Sequence, residues 1–466
     1  MKKFLLVFLV FVMLTSLISA CGSNAPATTA TTSTPADSQA PAASTPAEET
    51  VKDDKPYAGT EVVFSCLDTA NFRFIEKHLP ELEAKTGIKG SIEYIPESAY
   101  MTKLQVVLSS GTGEFDGMYA NNKMYPALFS SGWIYELDNY INDPKLTDPS
   151  WDYKDFITKL GSSLTYEGKI LGVPFGVESG MLYYNKKMFA DAGITAPPKT
   201  MDDVLAYAKL LNKPDKGQAG FATVGTREGN VNGYTWIMIW KTLGGAWRPE
   251  GKEPYTVLAD EPAIHATTIW TELLSKYGPQ GIANYGWNEL FLSLQQEKVA
   301  MAMATTKDYP VLTDPTKTKI GDSLGFACIE GPGDEYTVSN ISAWMISKTS
   351  KHPEAAWQML QFLTSKEFQL DQVEKGESVQ QTRTSVLDSD TFAKKLNPEW
   401  SAAAKQAYSH GIVEYTPLIP QSNQIRECLS IGLSKALSGQ ATPEAAMKEA
   451  NENVKKILDQ AAQAAK

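Results

Sequence analysis

Cysteine and histidine are scarce in this chain. Among 466 residues there are four of each. Cys21, Cys66, Cys328 and Cys428 lie too far apart for a zinc or redox motif. His78, His265, His352 and His410 show no paired metal-ligand spacing. The sequence therefore points to no metal centre and no cofactor. Basic residues are also in deficit: 43 Lys and Arg stand against 54 Asp and Glu, for a net charge of −11. That balance excludes a broad nucleic-acid surface, which needs an excess of cations facing phosphate. No internal repeat of 20–50 residues marks a solenoid or propeller. What is present is length and an ordinary apolar fraction of 42%. A chain this long holds two large lobes, or two to three domains. Ten Trp and 20 Tyr fill cores or make flat platforms for amphipathic ligands. Cys66, Cys328 and Cys428 read as small buried hydrophobes. Spacing leaves open whether any two form a disulfide.

The N-terminus fixes the compartment. Lys2 and Lys3 precede an uncharged run from Phe4 to Ala20 that is rich in Leu, Val and Phe. This is the pattern of a secretory signal peptide over residues 1–20. At this length the run is at the short limit for a spanning helix, and an uncleaved anchor is the competing reading. It ends Leu17-Ile18-Ser19-Ala20-Cys21, which resembles a bacterial lipobox. That resemblance implies lipidation of Cys21 on the extracytoplasmic face of the cell membrane, so that acyl chains replace the helix as anchor. Each buried CH₂ contributes about 0.8 kcal/mol, and two or more chains hold firmly. Residues 22–50 are dominated by Ala, Thr, Ser and Pro, with no aromatic or basic side chain. Such a stretch cannot bury enough surface to offset its ordering entropy. Residues 21–56 therefore read as a flexible tether.

Beyond the tether the periodicities are those of an α/β protein. Glu61–Cys66 is a strand candidate. Ile75, His78, Leu79 and Leu82 then recur at helical spacing up to Gly87, with Pro80 predicting a kink or a late helix start. Ile88–Ile95 is a second strand, and strand–helix–strand at this spacing predicts a parallel layer. Thr200-Met201-Asp202-Asp203 opens a further helix as a capping box, with Val204, Tyr207, Ala208 and Leu211 on one face. Pro353 begins another, and Thr442-Pro443-Glu444 opens the last, running to about Leu458.

Five segments, in order, resemble the family 1 extracellular solute-binding proteins, the sugar-type receptors of ABC importers. Phe115-Asp116-Gly117 with Gly132-Trp133-Ile134-Tyr135-Glu136-Leu137-Asp138 is similar to the family's "PDV … GxLxPLD". Gly168-Lys169-Ile170-Leu171-Gly172-Val173-Pro174 and Tyr184-Asn185-Lys186 are similar to "GKLYGVP … YNK". Ala192-Gly193-Ile194 and Pro197-Pro198-Lys199-Thr200-Met201-Asp202 follow "AGI..PPKTWDE", with Met201 in place of Trp. Glu297-Lys298-Val299-Ala300-Met301 resembles "GKAAM", and Ile346-Ser347-Lys348 with Ser350–Trp357 and Phe362-Leu363 resembles "ISK.SKHPEAAW.F..FL". The family's usual Gly-Gly before the last segment is absent, the chain reading Ser339-Asn340-Ile341-Ser342-Ala343-Trp344. Side chains there would replace a close backbone approach to ligand.

The resemblance covers roughly residues 58–460. It implies a two-lobed periplasmic-binding-protein-like (type II) α/β fold with hinge crossings and an interlobe ligand cleft. By analogy the crossings fall near Gly176-Val177-Glu178, Val338-Ser339-Asn340 and Glu374–Gln381. Lobe 1 is then 57–176 and 340–375, and lobe 2 is 177–339 and 376–466. It also implies a monomer that hands its solute to the transmembrane permease subunits of an ABC importer.

A neutral sugar offers hydroxyls, which suit Asp, Glu, Asn, Gln and Arg, and an apolar face, which suits Trp and Tyr. Loops after strands and the crossings supply the candidates: Asp68, Thr69 and Asn71; Tyr119, Asn121 and Asn122; Glu178; Asn232, Tyr234 and Trp236; Trp287; Thr305, Lys307 and Asp308; Asn340 and Trp344; and Arg383. Each has a structural alternative, as cap, turn, core or salt bridge. Trp236, at the entrance of an apolar helix, resembles a stacking aromatic of the family. A peptide, a polyamine or another charged solute is the second reading; it calls for an opposite-charge cluster, and none is obvious at the crossings. A secreted glycosidase is the third, and no motif marks its paired carboxylates.

Overall fold

The computed structural model describes residues 55–69 and 72–464; Cys21, the signal-peptide run, most of the tether and Asn71 lie outside them. Nine strands form one mixed sheet: β1 (Glu61–Leu67), β2 (Lys89–Ile95), β3 (Gly117–Asn121), β4 (Val173–Asn185), β5 (Ala219–Ala222), β6 (Val299–Thr305), β7 (Leu324–Ala327), β8 (Thr337–Ile346) and β9 (Gly411–Ile412). Their order is β2-β1-β3-β8-β4-β6-β5, with β9 on β8 and β7 on β4. β1 is parallel to β2 and β3, whereas β8 runs antiparallel to β3 and β4. The helices used below are α1 (Ile75–Thr86), α2 (Met201–Leu211), α3 (Val231–Thr242), α4 (Glu261–Tyr277), α5 (Trp287–Gln295), α6 (Pro353–Leu363), α7 (Ser422–Leu437) and α8 (Pro443–Ala464).

Local chemistry accounts for most boundaries. Thr200 and Asp203 close the expected capping box on α2. α1 starts at Ile75 and continues through Pro80, so neither a late start nor a break is found there; the ring removes one N–H donor early in the helix. Gly87 ends α1 at φ 80°, and a Cβ there would lie 2.7 Å from the Ala58 Cα, so glycine is required by conformation and by space. The last helix is longer than expected and ends at Ala464, because Ala and Gln past Leu458 continue it without a breaker. Cys66 and Cys328 are buried, Cys428 is half-buried, and all three are free thiols.

The buried side chains fall into two large cores. One gathers residues from Val62 to Phe175 and from Ala343 to Phe368. The other gathers residues from Val177 to Ile341 and from Val373 to Val454, with Leu160. β4 and β8 belong to both. Val173 and Phe175 pack in the first core and Val177 and Met181 in the second; Ala343–Ile346 pack in the first and Val338 and Ile341 in the second. The register of β8 on β4 shifts between Ser342 and Ala343, at the passage from one core to the other.

Few polar bonds tie this passage together. Tyr119 Oη and Ser342 Oγ lie 2.9 Å apart. Asn122 Oδ1 accepts from the Ile341 amide at 2.6 Å, while its Nδ2 donates to the Val413 carbonyl at 2.7 Å. Tyr125 Oη donates to the Ile341 carbonyl at 2.8 Å. All but the part-buried bond to Val413 are buried, and their loss would leave an unsatisfied partner.

Candidate functional site

The polar centre of the molecule forms just past that passage. Glu178 on β4 faces Asn340 on β8 as a register pair. Glu178 Oε1 accepts from Asn340 Nδ2 at 2.9 Å, and Oε2 pairs with the Lys307 ammonium. Lys307 lies in the short turn Thr306–Asp308 that ends β6. Asp308 shapes this turn: its Oδ2 accepts from the Thr305 amide and the Thr305 hydroxyl, each at 2.8 Å. The Thr306 hydroxyl accepts from the Ser179 amide at 3.0 Å, fastening the turn to β4.

The electrostatics are strongly coupled. Burial works to lower the Lys307 pKa, but the Glu178 and Asp308 carboxylates outweigh it and hold the ammonium above the ordinary lysine range. Its side chain keeps 39% of its surface because one side faces an open cavity while protein walls the rest. Asp308 is buried, and burial pushes its carboxyl up to about 6, Lys307 pulling down and Glu178 adding to the rise.

Aromatic side chains flank this group. Tyr234, at the start of α3, meets Tyr415 edge-on at 5.3 Å and Trp287 at 6.3 Å. Its phenol is held well above the ordinary tyrosine range by burial and then by the Glu178 charge. Tyr234 Oη and Asn340 Oδ1 are buried and have no hydrogen-bond partner within the described protein. Trp287 is half-buried and, with Asn288, Lys307, Asp308 and Gln380, lines a cavity of about 430 Å³. Arg426 on α7 is buried without a described carboxylate or hydrogen-bond partner, and its charge acts on Tyr234 and Tyr415. Lys123, in the turn after β3, has a pKa lowered by burial and then by Arg426.

The structure thus brings together Glu178, Tyr234, Trp287, Lys307, Asp308 and Asn340 from the sequence candidates. It withdraws others. Trp236 is fully buried, stacks on Trp240 at 5.3 Å and donates Nε1 to Thr267 Oγ1 at 2.9 Å, so it has no face for a ligand. Trp344 is likewise fully buried, packed among Phe64, Tyr119 and Phe175. Asn232 joins α3 to α7 through the Ser430 carbonyl and hydroxyl. Arg383 donates to the Thr364 and Asp152 carbonyls and to Asp155, with its guanidinium 4.0 Å from the Phe156 ring centre, a structural clasp. Tyr119 and Asn122 are consumed by the ties described above, and Asn121 Oδ1 caps its own turn at the Lys123 amide. Thr305 serves the Asp308 turn. Asp68 is exposed and paired with Arg73 at 2.6 Å, and Thr69 forms the turn that follows β1. Tyr415, Arg426 and Lys123 were not singled out from sequence. The first two come from the far C-terminal part of the chain, where no motif marks them.

One nine-stranded sheet is shared by two cores, and a charged and aromatic group stands on and beside the strands they share. The chain belongs to the bacterial extracellular solute-binding proteins, whose family model matches residues 68–370. An erythritol/L-threitol-binding protein of Mycolicibacterium smegmatis is 26% identical over 367 residues, 75% of this chain and 73% of that protein. A mannitol-binding protein of Pseudomonas aeruginosa is 23% identical over 279 residues, 59% of this chain and 62% of that protein. Among solved structures, an ABC transporter solute-binding protein of Agrobacterium radiobacter K84 in complex with ribitol superposes with a TM-score of 0.72 at 23% identity, covering 86% of this chain and all (100%) of that one. The fold is therefore of the type II periplasmic-binding-protein kind, and the family is one of exported solute receptors.

Proposed function

We propose that this protein captures a neutral polyhydroxylated solute, a sugar or sugar alcohol, in the gap around Glu178 and delivers it to the permease of an ABC importer. The observation that carries this reading is the Glu178–Asn340–Lys307 group beside Tyr234 and Trp287. It offers a carboxylate, an amide and an ammonium, which bond hydroxyls as acceptor, either, and donor. The half-buried Trp287 offers a flat face for the C–H side of the same molecule. The relatives that bind erythritol, threitol and mannitol, and the ribitol-bound neighbour, support a polyol of this size. A polyamine fits poorly, because Lys307, Lys123 and Arg426 would repel it. Binding and release need no covalent step, and we assign the protein no catalytic activity.

In this reading the two cores are two lobes, 57–176 with 340–375 and 177–339 with 376–466, and β4 and β8 are the crossings. Solute contacts made only in the closed arrangement would shift the balance toward closure. A monomer anchored by lipid at Cys21, with residues 22–56 as tether, would work above the membrane.

Titration calorimetry with erythritol, ribitol, mannitol and maltose tests the reading. Glu178→Gln removes the charge that strengthens the bonds to hydroxyl and to Lys307. A charge-assisted bond contributes about 1.5–3 kcal/mol, so affinity should fall about tenfold to 100-fold. Unchanged affinity in that variant, or binding of peptides or polyamines in place of polyols, would refute it.

A further inference from the structure

A cavity of about 960 Å³ lies at the far end of α3 from Tyr234. Lys241, the next-to-last residue of that helix, lines it. Seven residues of helix separate the two side chains, about 10 Å along the axis. Lys241 is only 4% exposed. Among the described residues its ammonium has no carboxylate within ion-pair distance and no hydrogen-bond acceptor; its one close partner is the Trp240 ring, 4.9 Å away. Burying a cation without an anion is costly. The other cations on the cavity wall do not share this condition. Lys159 pairs with Glu335 at 3.3 Å, and Arg248 pairs with Glu414 at 2.7 Å. Both wall carboxylates are therefore engaged, and the cavity keeps one surplus positive charge.

We propose that this cavity is a second binding site, for a small organic carboxylate, with Lys241 as its countercharge. A single ammonium matches a single negative charge. Phe129 and Tyr166, wall aromatics that keep part of their surface exposed, would cover the body of the molecule, whether ring-shaped or a hydroxylated chain. Gly245 brings the backbone close under Trp240, where a Cβ would lie 2.1 Å from the indole nitrogen, so the floor beside Lys241 is fixed. The surroundings make the site sensitive to pH. Burial lowers the Lys241 pKa to about 8, with Glu414 and Glu335 raising it in part. Lys159, Arg248 and Tyr255 also face the cavity, and burial moves Tyr255 upward, away from this range. Lys241 is charged below pH 8 and neutral above it, so carboxylate binding should be present near neutrality and lost as pH rises through that value.

The test is calorimetry on the whole protein with D-gluconate, D-glucuronate and benzoate, each beside its uncharged analogue (D-glucitol, D-glucose, benzyl alcohol). One or more of the acids should bind with one equivalent at about pH 6.5, and at least tenfold more weakly at about pH 9.5. Lys241→Met should weaken that acid at least tenfold while leaving polyol affinity unchanged and the melting temperature equal or higher. Glu178→Gln should leave acid binding intact. The proposal is overturned if no acid binds up to about 10 mM, beyond the millimolar range. It is equally overturned if Lys241→Met weakens an uncharged analogue as much as its acid, if Lys241→Met retains the acid, or if Glu178→Gln removes it and so places the acid in the other gap.

Discussion

Asp308 gives the sharpest test of the electrostatics at the Glu178 gap. Its carboxyl titrates at about 6 in the folded chain, against 3.8 for an ordinary aspartate. A raised carboxyl means that, between those two values, the folded state holds more protons than the unfolded one. Stability contributed by the protonated form is therefore fully present below about pH 4 and is lost as pH climbs through 6. A shift of about two pKa units corresponds to about 3 kcal/mol at pH 7. Asp308→Asn keeps an oxygen that accepts from the Thr305 amide and hydroxyl, so the turn after β6 survives, but it removes the ionisation. The pull of Lys307 on the carboxylate is already contained in that net rise, so the variant should gain about 3 kcal/mol at pH 7. The assay is calorimetric melting of wild type and variant across pH 4–7, read as the difference in melting temperature at each pH. That difference should grow in the variant's favour from pH 4 to pH 7 and level off above about 6.5. A flat difference, or one that shrinks with pH, would show that Asp308 is not the buried, strained anion inferred here.

Two tryptophans should separate stability from binding. Trp236→Ala opens a void in the core between Trp240 and Thr267 and should cost about 3–5 kcal/mol of stability, with polyol affinity of the folded fraction unchanged. Trp287→Ala should do the reverse, lowering affinity about tenfold with a change in melting temperature of a degree or two, since its ring is half-exposed; calorimetry and melting on both variants decide. Arg383→Met leaves the Thr364 and Asp152 carbonyls without this donor and Asp155 without its countercharge, though Ser385 still donates to it, and should destabilise by about 3 kcal/mol without touching affinity, as measured by the same pair of assays.

The fold was readable from sequence wherever the signal is local. The apolar run Glu61–Cys66, the capping box at Thr200 and the glycine that ends α1 each depend on a few neighbouring residues, and each stands as expected, the strand extending one residue further to Leu67. Of the candidate site, the sequence marked Glu178 by its place at a crossing and Lys307 by its place after a strand-like run, and the structure sets the two side by side. Trp236 shows where this fails. Its place at the start of an apolar helix is compatible with a ligand face or with the core. What decides is Thr267, on α4, which accepts the indole N–H. Tyr415 and Arg426 illustrate the opposite error. They are far in sequence from most members of the group; Arg426 comes to it through the packing of α7 against α3 and α4, and Tyr415, ahead of α7, is held by the Trp247 indole N–H on its carbonyl.

The arrangement of the gap also bears on how a solute could close it. Glu178, Asn340 and Lys307 all stand on or beside strand segments whose apolar neighbours, Val177, Val338, Ile341 and Ala304, pack in the second core. Their geometry is fixed by that core alone, through the register pair of β4 and β8 and the Asp308 turn. The first core contributes the turn after β3, which carries Lys123, and it is joined to the second by β4 and β8 themselves and by bonds made by Tyr119, Asn122, Tyr125, His78, Gln369 and Arg383. A solute seated on the preformed second-core group gains little from that core by closure, because those contacts exist already. Additional contacts must come from the side of Lys123. On the proposed two-lobe reading, the energy that would drive closure is the difference contributed by the first core, and exchanging residues of the turn after β3 should change the open–closed balance more than it changes the first encounter.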